Sequence, residues 1–296
     1  MSLVRSPWAT SLARPVDLSA AWNATDDEVA ERFHPLYRAS LARLPDGAAV
    51  FRGLPFALGT RAAGRRWLVV DGPLVVDLPP GPASHLVVAH FADSWRDAHG
   101  ERPAGMPVGW VFPTGQPLAT YEVTFDDGST SSLAVRRRFQ VDDGIIGWGF
   151  LPFEAVGHRQ DEAVDWRGPH ARQGAGRYPP AGHAGPLMLL PGAWGGAQTG
   201  VADYVPTPDD DITYWLHAIP LPPGRRARAL RLSPVAEGGG STVVVAAVTL
   251  FHGTADPLVT LPRRQVRLEG HAAHDLPQVD LGLAVRSRPP EASALD

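Results

Sequence analysis

Alternation of apolar and polar positions is clearest over residues 118–139, LATYEVTFDDGSTSSLAVRRRF. Leu118, Thr120, Glu122 and Thr124 alternate with Ala119, Tyr121, Val123 and Phe125, which is the period-2 signature of a half-buried strand. Asp127-Gly128 then predicts a turn, and a second alternating run follows through Leu133, Val135 and Arg137. Short β-branched runs punctuated by Gly and Pro predict further strands at 67–72, 74–79 and 85–91. The same pattern resumes at 212–221, 228–235 and 242–251, with a last pair near 258–268 and 277–286. One segment has helical spacing. In 23–44, Val29 and Phe33 recur four apart, as do Tyr37 and Leu41, behind a Thr25 N-cap and an acidic first turn; Pro35 splits the run in two.

Two stretches break the pattern. In VFRGLPFALG (50–59), Gly53 and Pro55 exclude a helix and weaken a central strand, which leaves a short extended segment with a bend, at a sheet edge or on entry to a sandwich. Residues 144–211 are dense in Gly and Pro and lack periodicity, and they hold Trp148, Trp166, Trp194, His158, His170 and His183. An irregular insertion of that length inside a compact domain is uncommon and usually functional or mobile. We expect it to cap one edge or face of the strand core, with ligand held between cap and core.

Many short strands behind one helical piece predict an all-β fold, an antiparallel jelly-roll sandwich. The expected divisions are an N-terminal extension over 1–44, a sandwich over 45–286 carrying the 144–211 insertion, and a tail over 287–296. No strand–helix alternation and no glycine-rich phosphate loop occur, so nucleotide binding lacks sequence support.

Composition narrows the function. Of 296 residues 44% are hydrophobic, enough for a substantial core, and the 31 Gly and 30 Pro suit many turns. A net charge of −4 makes nucleic acid a poor partner. With no cysteine, thiolate chemistry and disulfides are excluded. No run of about 18 apolar residues spans a membrane, and the N-terminus shows no apolar leader core, so a cytoplasmic location is expected.

The order of five segments resembles the galactose-binding-domain-like β-sandwich, a jelly roll used as an accessory module in many hydrolytic proteins. FRGLPFALG (51–59), RWLVVDGP (66–73), HLVVAHFADSW (85–95), YEVTFDDGS (121–129) and the later strands at 214–232 and 243–251 follow that family's order. The resemblance implies a non-catalytic module that binds carbohydrate or docks a catalytic partner domain. TLFHGTADPLVTLPRRQVRL (249–268) is more faintly similar to the segment after the N-terminal sandwich of carbaryl-hydrolase-type PHP metallohydrolases, whose metal-binding H-x-H is missing here.

Candidate chemistry is sparse. His271, His274 and Asp275 in HAAHD lack the helical flanks a metal pair wants, and Asp209–Asp211 before a strand reads as a solvated turn more readily than a calcium cluster. His85 and His90 fall on opposite faces of one strand; His90 is expected as a hydrogen-bonded core residue. Arg136, Arg137 and Arg138 read as guards on an edge strand. No G-x-S-x-G occurs. The expected ligand-binding residues are Trp148, His158, Trp166, His170 and Trp194, because exposed aromatic faces stack on sugar rings; the competing account is that the aromatics pin a long loop to the sandwich. No cofactor or metal is expected. The alternative function is a glycoside or metal-dependent hydrolase, with His158, His170 or Glu154 as acid–base groups.

Overall fold

The computed structural model describes residues 12–32, 38–93, 115–144, 152, 154–159, 162–163, 187–191, 197–201, 212–235 and 242–258. Their order is β1 (Ala13–Pro15), α1 (Asp26–Ala30), α2 (Arg38–Arg43), β2 (Ala48–Phe51), β3 (Leu54–Ala57), β4 (Leu68–Val70), β5 (Leu74–Asp77), β6 (His85–Asp93), β7 (Pro117–Phe125) and β8 (Thr130–Arg136). Then come β9 (Val156–Arg159), β10 (Glu162–Ala163), β11 (Leu187–Pro191), β12 (Ala197–Val201), β13 (Thr213–Pro220), β14 (Ala227–Pro234) and β15 (Thr242–Phe251).

The fold is an all-β sandwich, as the alternation predicts. One sheet has the order β1–β15–β6–β13–β9–β10, with β4 beside β1 along the same edge of β15; the other has the order β5–β14–β7–β8. Neighbouring strands pair antiparallel throughout. In the smaller sheet, Tyr121, Val123, Phe125, Leu230, Leu232 and Val76 point inward and are buried, whereas Val75 points out and is 59% exposed. That one-sided burial is why the sequence alternates there.

Every residue of β15 is buried, as is nearly all of β13, because this sheet is covered on both faces. One face meets β7, and His90 reaches Tyr121 across the gap. The other face is covered by the N-terminal third of the chain. Val29 of α1, Leu41 of α2, Phe51, Phe56 and Trp67 are all buried in one continuous apolar cluster with the strands. Trp67 packs edge-on against Phe91 at 5.7 Å, and Thr249 Oγ1 donates to the Pro55 carbonyl at 2.7 Å.

The division expected at residue 44 therefore marks no break. β1 pairs Ala13 with Phe251 and is a strand of the larger sheet. The expected helix start is present: Thr25 and Glu28 form a reciprocal capping box. Asp26, in the first turn, accepts from the buried Arg66 guanidinium and from the Trp67 indole, locking the helix to β4. The expected strands near 258–286 lie outside the described residues, apart from Leu258.

The VFRGLPF stretch is a hairpin rather than a bent edge strand. Phe51 pairs with Leu54, so Arg52 and Gly53 alone make the turn, with φ of 49° and 82°. Two left-handed residues in succession are the type I′ geometry that matches strand twist. Gly53 supplies the second at no steric cost, and Pro55 sits on a strand that, among the described residues, pairs with β2 alone. Phe51 and Phe56 then lie on one face, their rings 5.2 Å apart.

Candidate functional site

The strand register places the long connections together. Asp93 of β6 pairs with Thr242 of β15, Val70 of β4 with Val243, and Thr213 of β13 with Arg159 of β9. In the smaller sheet, Pro117 of β7 pairs with Arg136 of β8, and Leu74 of β5 with Leu232 of β14. Residues 71–73 join Val70 to Leu74, so both sets of strand ends form one end of the sandwich. The connection 94–116 leaves from this end and returns to it, 137–155 leaves from it, and 164–212 returns to it; β9 begins at Val156, opposite Leu216 part-way along β13. The opposite end carries the short turns 78–84, 126–129 and 221–226. Clustered long connections on a rigid sandwich are the usual place for a binding surface.

The floor of the loop end is built by residues 137–144. After β8 the chain turns tightly, with Arg138 at φ 62° and its N–H bonded to the Val141 carbonyl at 2.7 Å. The chain then crosses to the larger sheet and wedges between β6 and β13. Ala92 donates to the Asp142 carbonyl at 2.8 Å, Gly144 donates to the Ala92 carbonyl at 3.2 Å, and Thr213 donates to the Gly144 carbonyl at 2.6 Å. The side chains lock the crossing. Arg137 pairs with Asp143 at 2.6 Å and also reaches Gln116, while the Trp215 indole donates to the Asp143 carbonyl at 2.8 Å. One oxygen of the buried Asp142 carboxyl accepts from the Asp143 N–H; its Oδ2 has no partner among the described residues. Burial first, and then the charge of Asp143, push this carboxyl up to about 7, against the opposing pull of Arg138 and Arg137.

Beside the wedge runs a polar chain between the sheets. Tyr121 Oη lies 2.7 Å from His90 Nδ1, and His90 Nε2 lies 2.8 Å from the Gln140 carbonyl. Gln140 in turn donates to Glu154 at 2.7 Å and accepts from the Arg136 N–H. Burial drives the His90 imidazole down to about 3, so the ring is neutral and the chain carries no charge at its centre. His217 of β13 is buried as well; burial lowers it, with Glu154 and Asp256 opposing.

Of the residues expected to bind ligand, only His158 lies within the described set, and it is not on a loop surface. It is 3% exposed, on β9, with its ring 4.6 Å from Phe51 and beside Tyr214 in an aromatic cluster. Trp148, Trp166, His170 and Trp194 lie outside the described residues. By chain order Trp148 belongs to the 137–155 connection, and the other three to 164–212. The 144–211 stretch is not a separable cap throughout, since β9 pairs with β13 and buries Ala155 and Val156. Glu154 is exposed and hydrogen-bonded to Gln140.

Two expectations about charge change. Arg136 is exposed on edge strand β8, as a guard would be, but Arg137 and Arg138 are buried in the crossing. Sequence reasoning misses Asp142 and Asp143, although three arginines followed four residues later by two aspartates signal internal charge pairing. The HAAHD and Asp209–Asp211 candidates lie outside the described residues. Among the described residues, no group of three or more His, Asp or Glu is placed to hold a metal. Neither a family model nor any curated protein matches the chain.

Proposed function

We propose that this chain is a non-catalytic binding module that takes carbohydrate at the long-connection end of its sandwich. The observation that carries the proposal is that one end of the two-sheet body gathers the strand ends from which 94–116 and 137–155 leave and to which 94–116 and 164–212 return. Three tryptophans, Trp148, Trp166 and Trp194, lie in those connections. A pyranose ring stacks its C–H face on an indole and leaves its hydroxyls for polar neighbours. The likeness of five ordered segments to galactose-binding jelly rolls supports the same function. The titratable groups near this end serve the frame: His90 bridges the sheets, and His158 fills the aromatic cluster behind β13.

Affinity electrophoresis through gels containing single soluble polysaccharides (a galactan, a xylan, a β-glucan) tests the proposal. Retardation of the wild-type protein in at least one gel is expected. Trp148→Ala, Trp166→Ala and Trp194→Ala should reduce it in at least one case, by roughly tenfold in affinity if one stacking contact is worth about 1.4 kcal/mol. Migration unaffected by every polysaccharide, or retardation untouched by all three substitutions, would overturn it.

A further inference from the structure

The wedge of 142–144 stands between two central strands and fixes the chain immediately before the Trp148 connection. Beyond the Trp215–His90 pair, β13 no longer bonds β6 directly; Ala92 and Thr213 bond residues 142 and 144 instead. The buried Asp142 carboxyl sits at the heart of that insertion, its Oδ2 without a partner among the described residues. Its nearest charged groups are Asp143, already committed to Arg137, together with Arg138 and Arg137 from the same crossing. On the β6 and β13 sides the backbone of the wedge bonds Ala92, Thr213 and Trp215, which carry no charge, and His90 on β6 is bonded at both ring nitrogens.

We propose that the 137–144 crossing is a proton-operated latch: with Asp142 protonated the wedge stays seated between β6 and β13, and loss of that proton releases it. Ionised Asp142 would place a second negative charge beside Asp143 in a dry site, with one oxygen receiving no hydrogen bond. When the wedge lifts out, the carboxylate is hydrated. The elevated proton affinity of this carboxyl places the change near neutral pH. The direction follows from linkage. The seated form holds the proton more tightly than the released form, so release is favoured as pH rises and levels off above the seated form's pKa. Acid therefore secures the root of the Trp148 connection and alkali frees it, whether or not a sugar binds there.

Amide hydrogen exchange of the whole protein reads the latch. After correction for base catalysis, the Ala92, Gly144 and Thr213 amides should exchange roughly tenfold faster per pH unit between about pH 5 and 7, then level off. They should also exchange faster than Val88, in the middle of β6. In Asp142→Asn, which stays neutral, the rise should vanish. Exchange independent of pH in the wild type, an equal rise in the variant, or identical rates at Val88 would each overturn the proposal. If the variant does not fold, carbon NMR of the Asp142 carboxyl in the wild-type protein decides. A midpoint near neutrality sustains the latch, and one below about pH 5, in the ordinary carboxylate range, removes it.

Discussion

Gln140 offers His90 only a carbonyl oxygen, so the ring must keep its proton on Nε2 and accept through Nδ1; Tyr121 therefore donates its hydroxyl hydrogen. Tyr121→Phe removes that donor and strands a buried acceptor. We expect it to cost about 1–3 kcal/mol in urea unfolding, with little change in the sheet content seen by circular dichroism. His90 and Asp142 also set opposite pH slopes. His90 is held below its ordinary value, so unfolding releases a group that takes up a proton, and stability falls as pH drops from about 6.5 towards 3. Asp142 is held above its ordinary value, so stability falls as pH rises from about 4 to 7. The two windows overlap and oppose each other. Asp142→Asn removes only the second. Its stability should therefore climb with pH between about 4.5 and 6.5 more steeply than that of the wild type, by at most about 1.4 kcal/mol per pH unit. Equal slopes in urea titrations at pH 4.5, 5.5 and 6.5 would contradict this.

At the scale of elements, the β2–β3 hairpin shows how a local breaker signal misleads. Gly and Pro two residues apart argue against regular structure when read singly, yet Gly53 is the second residue of a two-residue turn and Pro55 lies on a strand that pairs with β2 alone among the described residues. Arg52 occupies the first turn position, where Asn is commoner, and its guanidinium reaches the Gly157 carbonyl at 3.0 Å, tying the hairpin to β9. Gly53→Ala forces a methyl group into left-handed geometry and should destabilise the fold by about 1–2 kcal/mol, measured by thermal or urea unfolding. The strands with strict alternation or long apolar runs, such as β6, β7, β13 and β15, were legible in the sequence because burial of one or both faces dictates their pattern. β9 was not legible. V-G-H-R is too short to show a period, and its strand state comes from pairing with β13. The burial of Arg137 and Arg138 was likewise hidden, because the Asp143 partner of Arg137 and the wedge that encloses both exist only once two sheets are brought together.

For the whole molecule, the boundary between frame and insertion falls after β10 rather than at residue 144. Replacing 164–211 with a flexible linker should leave a cooperative two-state unfolding transition, because β9 and its buried Val156 and His158 remain. Replacing 150–208 removes that strand from beside β13 and should abolish the transition. Similar melting of the two truncations would show that the frame had been divided in the wrong place. The strand register has a mechanical consequence as well. β1 begins against the last residue of β15, and His252 donates to the Leu12 carbonyl at 2.8 Å, so the described chain enters and leaves the body side by side at the short-turn end. A pull on Leu12 and His252 loads this seam from its open end, and its hydrogen bonds break in sequence as in a zipper. A pull on Leu12 and Val235, which lies at the far end, instead drags β1 lengthwise along β15 and loads its bonds together. Optical-trap rupture forces should be lower for the first pair of attachment points than for the second. A tether joined to both ends of the body would then yield at low load, while the end bearing the long connections faces away from it.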